Sequence, residues 1–167
     1  IVGNGLRAAE VICGVGVDLV DVVRFARQLE RTPALRDRLF TPAERELSDR
    51  SLAARFAGKE ALIKALGGSG ELGWQDLEIV RGENRAPNFA STAALTRVLA
   101  AHGAGQPWLS IAHDGNHAIA TVVLETAVRE PVADQTTVRG GTSRMSEVSG
   151  TLSTQKPTVD EAMRGER

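Results

Sequence analysis

The sequence predicts an α+β domain, with a mainly antiparallel sheet packed against helices. Three observations predict it: strand-like alternation at Val11–Val20, a hairpin signal at Asp114-Gly115-Asn116 between two further alternating runs, and helix-forming stretches between them. The chain has 167 residues, 42% hydrophobic and 25% charged, with a formal net charge of −1. That length supports one domain with a modest core, and the overall charge recommends neither nucleic acid nor a membrane as partner. A single cysteine, Cys13, rules out an intramolecular disulfide and a multi-Cys zinc site, and fits a reducing cytoplasm. No signal-peptide pattern or apolar run of spanning length is present, so a soluble protein is expected.

Residues 1–10 read as an N-terminal extension. From Val11 to Val20, Val11, Cys13, Val15, Val17 and Leu19 fall on one face of a strand and Gly14, Gly16 and Asp18 on the other. Two glycines in line with an acid leave bare backbone that another element or a ligand can approach closely. Leu19 stands where a dinucleotide fingerprint needs its third glycine, so that motif is excluded. Asp21 is placed to cap a helix running to about Arg31, which buries some combination of Val22, Val23, Ala26 and Leu29. On its surface Arg24, Arg27 and Arg31 lie within about 60° of one another, a basic ridge.

Thr41-Pro42-Ala43-Glu44 reads as a capping box with proline in the first turn, opening a short helix toward Ser48 or Asp49. Arg50 and Ser51 mark a break. The helix that follows, Ser51–Leu66, puts Leu52, Phe56, Ile63 and Leu66 on one apolar arc with Glu60 inside it. A carboxylate facing a core must be paired, hydrogen-bonded or metal-bound. Lys64, four residues on, offers an ordinary helix ion pair, and at this level that pairing and a functional role for Glu60 both stand.

Gly67-Gly68-Ser69-Gly70 stops the helix, and no Gly-Lys-Ser/Thr follows, so it is not a Walker-type loop. Asp76–Arg81 alternates as a strand, 82–87 is a polar turn, and Asn88-Phe89 begins a return. Thr92–His102 is an amphipathic helix with Leu95, Val98 and Leu99 buried, closed by Gly103, and His102 serves as a cap contact. Trp108–His113 and His117–Leu124 form the final hairpin, whose histidines flank a turn and so lack helical zinc spacing. Residues 126–167 lack aromatics and period and read as a disordered tail. The domain is therefore 11–125.

Gly14-Val15-Gly16-Val17-Asp18 followed by Arg55-Phe56-Ala57-Gly58-Lys59-Glu60-Ala61-Leu62-Ile63-Lys64 resembles the paired signatures of the 4'-phosphopantetheinyl transferases, in the short-chain holo-[acyl-carrier-protein] synthase branch. Phe40–Glu44, Trp74–Glu78 and Ser110–His113 extend the match. The resemblance implies that a serine of an apo acyl carrier protein attacks the β-phosphate of coenzyme A, giving phosphopantetheinyl-serine and 3',5'-ADP. It implies Asp18 and Glu60 as carboxylate ligands of Mg²⁺, and Lys64 as a phosphate contact that stabilises the leaving group. Lys59 and Arg55 match the motif's other cations, with phosphate contact or bracing of the acidic ligands expected.

His113 is expected near the nucleotide part of coenzyme A, with Ala112 where a hydroxyl residue is usual. Asn84-Arg85-Ala86-Pro87 resembles a turn whose backbone approaches the adenine, which puts Asn84 and Pro87 among the coenzyme A contacts. Arg85 and Ala86 depart from the usual Gly and Lys/Arg there. Arg24 matches a carrier-docking arginine, with Arg27 on the same ridge, suited to an acidic carrier helix. A homotrimer with sites between subunits is implied by the resemblance alone. The alternative is a non-catalytic carrier-protein or nucleotide-binding module of the same fold. Whether the carrier serves fatty-acid or polyketide synthesis is left open.

Overall fold

The computed structural model describes residues 11–82 and 84–127, so the readings of 1–10 and of 128–167 lie outside the described residues. Strand β1 (Ile12–Asp21) leads into helix α1 (Val22–Arg31), α2 (Pro33–Leu39), the single turn α3 (Pro42–Arg45) and the long helix α4 (Asp49–Ala65). A 3-10 turn at Trp74–Leu77, strands β2 (Ile79–Arg81) and β3 (Pro87–Phe89), helix α5 (Ala93–Ala101), and strands β4 (Trp108–Asp114) and β5 (His117–Glu125) complete it. The strands form an antiparallel sheet in the order β1-β5-β4 and a separate antiparallel ribbon, β2-β3. The α+β expectation with antiparallel pairing therefore holds.

Helix α4 is the core. Its residues Leu52 to Lys59, together with Ala61, Leu62 and Ala65, are buried, while Glu60 and Ile63 are half-buried and Lys64 is exposed. The expected apolar arc is thus corrected: the helix is covered nearly all round, and the strip through Glu60, Ile63 and Lys64 is its least covered side. Alanine and glycine make this possible, because they let neighbours close on faces that carry no large side chain. The predicted break at Arg50 and Ser51 is also corrected. Ser48 caps α4 by accepting from the Ser51 amide, so Asp49-Arg50-Ser51 form its first turn.

Beta-strand β1 lies along α4 by its glycine face. A Cβ on Gly14 would strike the Ala65 carbonyl oxygen, and one on Gly16 the Ala61 carbonyl oxygen, so strand and helix meet backbone to backbone. Ala118, Ala120, Val122 and Leu124 of β5 bury beside them. The other sheet face is open: Val15 and Leu19 are 60% exposed and Trp108 is 65% exposed. Cross-strand registry sets Val15, Val123 and Trp108 in one row and Leu19, Ile119 and Ala112 in another.

In α1 the Asp21 cap is as predicted, its carboxylate accepting from the Arg24 amide at 2.9 Å. The buried residues, however, are Phe25 and Leu29, while Val23 is exposed. Phe25 wins because it stacks on Phe56 at 5.0 Å and meets Phe40 edge-on at 6.3 Å. The strand predicted from Asp76 begins only at Ile79, since the Asp76 carboxylate turns back to accept from the Gly73 amide and closes the 3-10 turn. The capping box at Thr41 and Glu44 is present, as are the Thr92 cap of α5 and the His102 contact to the Val98 carbonyl.

Candidate active site

Asp18 projects from the glycine face of β1 toward the exposed strip of α4. Lys64 Nζ lies 2.7 Å from its Oδ1 and donates also to the Val17 carbonyl at 3.1 Å. Lys64 thus has a carboxylate partner on the strand, in addition to Glu60 one turn away on its own helix. Glu60, one turn before Lys64, shares that side of the helix. Half-buried Asp18 and half-exposed Lys64 leave the pair open to solvent, where such a contact is readily exchanged for another ligand.

Two expected coenzyme contacts are placed elsewhere. Lys59 is fully buried, and its ammonium donates to Glu44 Oε2 at 2.7 Å, the Leu39 carbonyl at 2.8 Å and the Trp74 carbonyl at 3.1 Å. All three of its donors are used, leaving Lys59 none for a phosphate, and the carboxylate that it braces is Glu44 rather than Asp18 or Glu60. Burial pushes its amine below the ordinary 10.5 despite the pull of Glu44. Arg55 is 9% exposed, with Nε 3.8 Å from Glu44 Oε1 and without a hydrogen-bond partner. Desolvation lowers its pKa, and Arg81 at the end of β2 adds repulsion.

His113 is exposed and rests Nε2 against the Arg50 carbonyl at 3.3 Å. Arg50 and Lys64 are fourteen residues apart on α4, about 21 Å along its axis. One phosphate group therefore does not reach both residues of one chain. Asn84 and Pro87 sit in the β2-β3 ribbon, where Arg85 takes a φ of 60°, the conformation that a glycine would adopt freely. Arg24 and Arg27 project from the exposed side of α1. Glu44 carries no functional signal in the sequence, because a capping box fully accounts for it locally.

A model of the 4'-phosphopantetheinyl transferase superfamily matches residues 14–122. The chain belongs to the 4'-phosphopantetheinyl transferase superfamily. Among transferases of this kind, it is 58% identical over 115 residues to the holo-[acyl-carrier-protein] synthase of Clavibacter sepedonicus, covering 69% of this chain and 97% of that protein. The crystal structure of the Neisseria meningitidis synthase superposes with a TM-score of 0.65 at 30% identity, over 70% of this chain and all of that one. The Helicobacter pylori synthase in complex with coenzyme A gives 0.59 at 30% identity, over 66% of this chain and 98% of that one.

The transferase motifs thus fall on β1 and α4, the two elements that meet backbone to backbone. Among the described residues no cluster of three metal-ligating side chains occurs. Two carboxylates suffice for a hard cation that keeps several waters and takes substrate phosphate oxygens, so Asp18 and Glu60 fit Mg²⁺. Among the described residues, no helix is long and apolar enough to cross a membrane.

Proposed function

We propose that the protein transfers 4'-phosphopantetheine from coenzyme A to a serine of an apo acyl carrier protein, leaving 3',5'-ADP. The observation that carries this reading is the Asp18–Lys64 contact, which joins the two sequence motifs at one exposed point. Asp18 and Glu60 would hold Mg²⁺, which when bound supplies charge stabilisation to the pyrophosphate. Lys64, released from Asp18, would neutralise the departing phosphate, and the serine proton would pass to water activated by a carboxylate. The Arg24 and Arg27 ridge would register the carrier's acidic helix.

Incubation with coenzyme A, Mg²⁺ and apo carrier proteins from fatty-acid and polyketide systems, followed by mass spectrometry, tests the reaction. A mass gain of one phosphopantetheinyl group is expected; none with any carrier rejects it. Asp18→Asn and Glu60→Gln should abolish transfer while leaving the fold intact.

A homotrimer with shared sites is supported by the open apolar face of the sheet and by the separation of His113 from Lys64 along α4. A neighbouring subunit would cover Val15, Leu19 and Trp108 and bring its own His113 toward the nucleotide. Light scattering of Trp108→Glu should show smaller particles with reduced transfer; full activity as a monomer rejects shared sites.

A further inference from the structure

The Glu44 carboxylate, 2% exposed, is the point where five segments are tied together. Its Oε2 accepts from Lys59 Nζ at 2.7 Å and from the Thr41 amide at 3.1 Å, and its Oε1 accepts from the Ile79 amide at 3.0 Å and faces Arg55. Through Lys59 the same cluster holds the carbonyls of Leu39 and Trp74. These contacts bring α2, α3, the 3-10 turn and β2 onto one side of α4. Glu60 and Lys64 stand about 100–180° around the helix from Arg55 and Lys59, and Glu60 directly follows Lys59. Whatever fixes Lys59 therefore fixes the direction in which Glu60 and Lys64 point.

We propose that Glu44 is a positioning residue for the transfer, locking α4 about its own axis so that Glu60 and Lys64 face Asp18. The proposal rests on the phosphopantetheinyl-transfer reading. A turn of about 20° at the helix's outer radius of about 5–6 Å displaces a side chain by about 2 Å. That breaks a 2.7 Å contact such as Lys64 to Asp18 and exceeds the misplacement that costs about a hundredfold in rate. Replacing the pair by Glu44→Gln and Lys59→Met fills the space but leaves the Leu39 and Trp74 carbonyls without the ammonium that fixes the angle.

The test compares Glu44→Gln with the double variant Glu44→Gln/Lys59→Met, measuring kcat, KM for coenzyme A, melting temperature and amide hydrogen exchange over residues 59–64. Glu44→Gln should lower kcat at least tenfold with KM changed less than about threefold, and speed exchange over 59–64. The double variant carries no unpaired buried ammonium; it should recover melting temperature while kcat stays at least tenfold down. Recovery of rate together with stability, or a parental kcat in Glu44→Gln, would show that the cluster only holds the fold. Absence of transfer by the parent protein with every carrier overturns the functional reading instead. Exchange then decides the present proposal, which unchanged rates over 59–64 overturn.

Discussion

Two lysines of α4, five residues apart, each sit 2.7 Å from a carboxylate, and the two pairs have opposite characters. Lys59 and Glu44 are sealed from water, with every donor of the lysine used. Asp18 and Lys64 bridge two elements at the surface, with spare coordination on both sides. Distance alone does not separate a brace from a working group. Burial and the count of remaining donors and acceptors do.

The largest expected effect is on the sealed pair. Lys59→Met leaves the Glu44 charge buried without its ammonium and should cost about 3–5 kcal/mol of stability, read by urea denaturation. A loss below about 1 kcal/mol would erase the contrast. Lys64→Met should cost no more than about 1 kcal/mol, because its partner interaction is screened by solvent, yet transfer should fall steeply. A variant that unfolds rather than merely losing activity would make Lys64 a second brace.

The smallest effect is on pH dependence. Because burial lowers the folded-state pKa of Lys59 below 10.5, the unfolded chain binds more protons in the window between that lowered value and 10.5. The contribution of Lys59 to stability therefore rises with pH across that window and is penalised below it. The stability advantage of the parent over Lys59→Met should therefore widen as pH rises toward 10.5, and parallel curves would refute the lowered value.

The sequence made the open pair legible and hid the sealed one. Gly14, Gly16 and Asp18 form a bare, acid-tipped strand face, and Glu60 stands out as a carboxylate within an apolar arc, with Lys64 one turn on. Glu44 left no residue of surprise, since its capping box explains it within four positions, while Lys59 and Ile79 reach it only through tertiary structure. The same locality explains the misread arc of α4: its coverage depends on what closes over alanine and glycine, which carry no periodic signal. Phe25 gives no local signal of burial, because the valines beside it fit the helical period while its aromatic partners, Phe40 and Phe56, lie in distant segments. The 3-10 turn replaced the start of a strand because one carboxylate, Asp76, captured a nearby amide.

The backbone-to-backbone meeting of β1 and α4 has a consequence for engineering. With main chain against main chain at Gly14 and Gly16, no rotamer can take up slack, and a slip of one residue would drive Cys13, Val15 and Val17 into the helix and swing Asp18 away. Strand and helix therefore behave as a single toothed part. A transplant of either motif into another scaffold must carry both, at this register, to bring an acid from one to a lysine of the other.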